Sequence, residues 1–199
     1  MKKLVILTAL ALATAATPAL ARAKNFDLAG KYELSGGLGF AADVSYWTPG
    51  GFKWFNDFGI KLSRLTWLNL QFNIVAGGTG GRGACYYDRR GNWVCDKQSY
   101  FGGTALEFAG GVKLKWKLPT VPVQIHAKFG GALPLIFFDG FRGVGIVFRG
   151  GVGARYFFVP TFGVGAELVH NLGPAFLNRG AGVQVYASVE MNFGVEWRF

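Results

Sequence analysis

The 199-residue chain carries 21 basic and 11 acidic residues, a formal net charge of +10, with 51% hydrophobic residues and 31 glycines. That apolar content excludes a disordered chain. Beyond the N-terminus no stretch approaches the roughly eighteen consecutive apolar residues of a membrane-spanning helix.

The first 21 residues, MKKLVILTALALATAATPALA, combine two lysines, an apolar run from Leu4 to about Ala16 and small residues before a cut. The run is too short for a spanning helix and reads as a secretory signal peptide, 1–21, cleaved after Ala21. That leaves 22–199 as a single domain. From there the sequence alternates. The first strand, about Tyr32 to Tyr46, puts Leu34, Leu38, Phe40, Ala42 and Val44 on one face. Glu33, Ser35, Gly37, Gly39, Asp43 and Ser45 fall on the other. A loop containing Pro49-Gly50-Gly51 follows. The second strand, about Asn56 to Ser63, sets Phe58, Ile60 and Leu62 against Gly59, Lys61 and Ser63. The pattern slips at Arg64-Leu65-Thr66-Trp67, where a tight turn is expected with Trp67 of undefined facing. The third strand carries Leu68, Leu70, Phe72, Ile74 and Ala76 against Asn69, Gln71 and Asn73.

The longest loop, roughly Gly77 to Gly103, holds both cysteines. CYYDRRGNWVC reads as a small hairpin turning at Gly91-Asn92, and two cysteines in an exported chain predict a Cys85–Cys95 disulfide. Closing that loop would remove about 3 kcal/mol of denatured-state entropy. Tyr86, Tyr87, Arg89, Arg90 and Trp93 are residue types favoured at binding hot spots, so the hairpin is a candidate binding surface. A stiffened loop with no ligand is the other reading. Gly77 to Gly83 lacks the Gly-Lys-Ser/Thr ending and following helix of a phosphate loop.

The fourth strand, to about Lys117, alternates Leu106, Phe108, Val112, Leu114 and Trp116 with Glu107, Ala109, Gly111, Lys113, Lys115 and Lys117. Pro119 and Pro122 bracket a turn. The fifth shows Val123, Ile125, Ala127, Phe129 and Leu133 opposite Gln124, His126 and Lys128. After a loop with Pro134 and Asp139-Gly140, the sixth alternates from Val144 to Tyr156, with Arg149 and Arg155 on its polar face. The seventh sets Phe162, Val164, Ala166 and Leu168 against Gly163, Gly165 and Glu167, and a loop from His170 to Arg179 follows. The last strand, Gly182 to Phe199, has Val183, Val185, Ala187, Val189, Met191, Phe193, Val195, Trp197 and Phe199 on one face. Gln184, Tyr186, Ser188, Glu190, Asn192, Glu196 and Arg198 share the other.

Eight strands result, with connections of a few residues alternating with connections of about nine to over twenty. Such alternation, with no charge on the apolar face, implies an all-β, eight-stranded antiparallel transmembrane β-barrel. The chain resembles the small bacterial outer-membrane barrels of the OmpA/OmpX/OmpW type. The resemblance implies a Gram-negative outer-membrane location with both termini periplasmic, and a terminal Phe199 read by the barrel-assembly machinery. Lipopolysaccharide and outer-membrane lipid would be its surroundings. Export argues against nucleic acid despite the basic charge.

Side chains largely fill an eight-stranded bore, so Glu33, Glu107, Lys113, Lys128, Arg149, Arg155, Glu167 and Glu190 are expected to form an interlocked lumen network. Buried charges require partners. His126 would belong to that interior. Small barrels that process lipid A pair a surface His with a Ser. His170 sits near the rim, but Leu172 occupies the position where that pairing needs a serine, and Ser188 is out of reach. No catalytic, cofactor or metal site is expected. The function that results is non-enzymatic: a barrel displaying disulfide-braced extracellular loops for structural or binding roles. The alternatives are a narrow channel for small or hydrophobic solutes and a lipid-modifying enzyme.

Overall fold

A computed structural model describes residues 30–45, 47–80, 85–87, 90–95, 100–138, 141–178 and 181–199. The expected signal peptide, 1–21, lies outside them. The strands are β1 (Tyr32–Asp43), β2 (Gly51–Lys61), β3 (Thr66–Gly80), β4 (Cys85–Tyr87), β5 (Trp93–Cys95), β6 (Tyr100–Lys117), β7 (Val123–Phe138), β8 (Phe141–Gly145), β9 (Val147–Val159), β10 (Phe162–Leu177) and β11 (Gly182–Arg198). All pairings are antiparallel, and β11 returns to β1 to close the ring, so the fold is the all-β barrel of transmembrane type. β8 and β9 both pair with β7 and β10 and count as one strand, giving eight.

Following opposed residues around the wall fixes the geometry. Glu33 leads through Gly59, Asn69, Gly111, Gly130, Arg149, Asn171 and Ser188 back to β1 at Asp43. That is ten residues beyond the start, so the strands tilt strongly and the barrel is staggered by ten. Outward faces are apolar: Leu34, Leu38, Phe108, Phe129, Val152, Leu168, Phe193 and Val195 are exposed. At the chain-terminal end an aromatic girdle forms, with Tyr32 stacked on Phe58 at 6.2 Å and Phe158 on Phe162 at 6.4 Å.

Several sequence expectations need correction. β2 begins at Gly51 rather than near Asn56, because Phe52 and Trp54 continue the outward face while Lys53 and Phe55 point inward. The inward aromatic Phe55 broke the apolar-outside rule and hid the extension. Trp67 also faces inward and is only 3% exposed. The loops foreseen after the fifth and seventh strands are largely strand: β7 runs to Phe138, and β10 and β11 leave only residues 178–181 between them. Two prolines fall inside strands rather than in loops. Pro134 lies within β7 and Pro174 within β10, flanking the break at Ile146 between β8 and β9. Neither can donate to the ladder, so pairing lapses there while the register continues. Ile146 still donates to the Pro174 carbonyl at 3.0 Å. At the end away from the termini, two connections remain longer: 44–50, and 81–99 with the β4–β5 hairpin.

Candidate functional site

Inside the barrel, period-two alternation delivers one polar row per strand. Among the described residues the wall buries seven basic side chains (Lys53, Lys113, Lys115, Lys128, Arg149, Arg155, Arg198) and six acidic ones (Glu33, Asp57, Glu107, Glu167, Glu190, Glu196). Near-equal numbers are what desolvated charge requires.

They sort into two clusters. Nearer the termini, Lys113 Nζ donates to Glu33 at 2.9 Å and Asp57 at 2.8 Å, and Lys115 donates to Glu33 and, at 3.3 Å, to Glu196. Arg198 binds Glu196 at 2.6 Å, and Arg155 lies 3.5 Å from Glu196 and 3.9 Å from Glu167. Glu167 also accepts from Lys128 at 2.6 Å and Asn192 at 3.0 Å, with His126 Nε2 3.3 Å away. Glycines opposite these chains give them room: a Cβ on Gly165 would sit 2.7 Å from Arg155 Cδ, and one on Gly59 2.6 Å from Glu33 Oε1.

Further from the termini, Glu107 and Glu190 are the hubs. Glu190 accepts from Lys53, from Arg149 at 2.8 Å and from Asn171 at 2.7 Å. Glu107 accepts from Tyr186 at 2.7 Å, Asn73 at 2.9 Å, Arg149 at 3.2 Å and Lys53 at 3.4 Å. Above them the interior turns apolar, with Ala132, Ile136, Val147, Ala175 and Leu177 packed around Trp47. Trp47 stands edge-on to Phe141 at 5.3 Å and to Phe138 at 6.3 Å. The connection after β1 thus folds into the mouth it borders.

The eight residues expected to form the lumen network are all buried, whereas Asp43, Lys61 and Lys117, which share the inward face in the sequence, are exposed. Sequence reasoning missed Lys53, which followed from starting β2 too late, and passed over Asp57, although it falls on the inward face of the expected strand. Tyr186 and Asn73 were visible as inward polar residues but unremarkable without their partners, and Asn171 was hidden in an expected loop that is in fact part of β10. The hairpin places Cys85 directly opposite Cys95, Tyr86 opposite Val94 and Tyr87 opposite Trp93. Gly91 at its tip has φ +77°, a left-handed conformation suited to glycine. Arg90 is exposed; Arg89 and the side chains of the cysteines, Tyr86, Tyr87 and Trp93 lie outside the described residues. His170 points outward between Leu168 and Leu172, whereas Ser188 is buried and bonds Asn171 inside the barrel. The wall separates the two. Phe199 closes the seam: its carbonyl accepts from Lys31 at 2.9 Å and Tyr32 at 3.0 Å, and its N–H donates to Tyr32 at 3.1 Å.

No family model matches the chain, and no curated protein sequence is similar to it. Solved structures are similar in fold. The Neisserial surface protein A aligns with a TM-score of 0.54 at 14% identity, covering 84% of this chain and 96% of that one. The N-terminal β-barrel domain of Pseudomonas aeruginosa OprF gives 0.52 at 15%, covering 85% and 98%. The attachment invasion locus protein Ail of Yersinia pestis, solved with the heparin analogue sucrose octasulfate, gives 0.50 at 11%, covering 85% and 99%. The chain therefore has the fold of the small eight-stranded outer-membrane barrels of the OmpA/OmpX type.

Proposed function

We propose that the protein is a non-enzymatic component of the bacterial outer membrane that displays surface loops, the β4–β5 hairpin foremost, for binding or structural roles. The observation that carries this reading is the filled bore: two interlocked charge clusters, roofed by the Trp47 apolar cluster, occupy the lumen. A conducting channel would have to part these pairs and leave buried charges alone, at several kcal/mol per ion. In this reading the signal peptide is removed, both termini lie in the periplasm, the barrel-assembly machinery inserts the chain and Cys85–Cys95 is oxidised. The hairpin and its arginines then meet anionic lipopolysaccharide or a partner at the cell surface.

The test joins topology to conductance. Protease added to intact cells should cut between Tyr86 and Trp93, faster in Cys85→Ser, while purified protein in planar bilayers should give no discrete current steps. Steady unitary conductance, or a hairpin resistant to external protease with and without reductant, would overturn the proposal.

A further inference from the structure

The mouth at the chain-terminal end is chemically unlike the lumen above it. A cavity of about 400 Å³ opens there, lined by Lys61, Arg64, Lys115, Lys117 and Arg198 around Trp67, and among the described residues no carboxylate lines it. Charge balance explains the difference. The nearest acids among the described residues, Glu33 and Glu196, are buried and engaged by Lys113, Lys115, Arg155 and Arg198. Among the described residues neither Lys61 nor Arg64 forms an ion pair, and both are exposed to solvent.

Trp67 organises the site. Its inward indole presents a face to three cations, with Lys115 Nζ 4.5 Å, the Arg198 guanidinium carbon 5.6 Å and Lys61 Nζ 6.0 Å from the ring centre. Cation–π attraction holds them in position despite their mutual repulsion. Arg198 also lies 4.3 Å from the Phe157 ring. The β2–β3 turn fixes the rim: Ser63 Oγ accepts from the Leu65 and Thr66 N–H groups at 3.3 and 3.1 Å, and Arg64, inside this turn, lines the cavity.

We propose that this mouth is a binding site for an oligoanion, a ligand bearing two or more phosphate or carboxylate groups. Clustered cations around an aromatic floor, with no acid among the described lining residues, raise the local concentration of anions and supply several charge-assisted donors at once. The site is independent of the hairpin, which is borne at the other end of the barrel.

Inorganic tripolyphosphate, titrated by calorimetry into the folded barrel in neutral detergent, tests it. Saturable binding at one site is expected, with affinity reduced at least tenfold in Lys61→Gln/Arg64→Gln and unchanged in Arg89→Gln/Arg90→Gln. Trp67→Phe should abolish the accompanying change in tryptophan fluorescence. Because Lys61 and Arg64 are exposed, the double variant should keep the electrophoretic mobility of the folded barrel. Adding phosphatidylglycerol to the micelles identifies the source: competition with tripolyphosphate assigns the site to a lipid headgroup, and no competition to a soluble anion. Absence of binding at millimolar tripolyphosphate, undiminished affinity in the Lys61/Arg64 variant, or loss only in the Arg89/Arg90 variant would each overturn the proposal. None of these outcomes bears on bilayer conductance or hairpin proteolysis.

Discussion

Lys53→Met isolates what the lumen network contributes. Lys53 is wholly buried and lies between two carboxylates, those of Glu190 and, at 3.4 Å, Glu107. With Arg149 it makes the upper cluster two cations against two anions. Removing it leaves Arg149 alone between the same acids, at 2.8 and 3.2 Å. Breaking a buried pair by deleting one partner costs about 3–5 kcal/mol. Here Asn171, Asn73 and Tyr186 still bond the stranded carboxylates, which argues for the lower end, about 3 kcal/mol. In a urea titration followed by tryptophan fluorescence, with slopes of about 1–3 kcal/mol per molar, the midpoint should fall by roughly 1–3 M. Lys53→Met/Glu190→Gln removes a charge of each sign and should recover part of the loss, giving a coupling of about 0.5–3 kcal/mol. A midpoint within experimental error of wild type, together with strictly additive single and double variants, would show that the network is not what holds the interior.

Unboiled protein should migrate faster on a denaturing gel than boiled protein, because a closed ladder offers no free edge from which to unfold. Equal mobility would mean the β1–β11 seam does not form. Deleting Phe199 removes three backbone hydrogen bonds at that seam as well as the ring, whereas Phe199→Ala removes the ring alone. If the aromatic ring is an assembly signal, both variants should reach the outer membrane at reduced levels after normal export. A normal level of Phe199→Ala would assign any defect of the deletion to the seam.

The barrel was legible because lipid on one side and packed charge on the other impose a strict two-residue period, and the last seventeen residues keep it almost without error. It became illegible where that rule relaxes. Phe55 and Trp67 are aromatic yet inward, one within the polar interior and the other as the floor of a cationic mouth. Both sit where the sequence suggested a loop or a turn. Pro134 and Pro174 look like loop markers, but a barrel wall can absorb two missing donors when they fall beside one break. The charged residues of the lumen could be named from the sequence, but not their pairing. Lys113 and Glu33 are eighty positions apart and meet at 2.9 Å only through the stagger of the barrel.

That stagger points to a division of labour between the two faces. Period-two alternation tells each side chain which way to face, yet it is blind to a slip of two residues, which returns every apolar group to the lipid side. The exterior of β2, with Phe52, Trp54 and Phe58, would be nearly as well satisfied two positions out of register with β1. The interior would not. A slip of β2 against its neighbours carries Lys53 away from Glu190 and Glu107, and Asp57 away from Lys113, stranding charges whose partners sit on β6 and β11. Each misregistered pair costs several kcal/mol, whereas the exterior loses little. The outward residues thus specify that a barrel forms, and the inward ion pairs select the stagger of ten in preference to its neighbours.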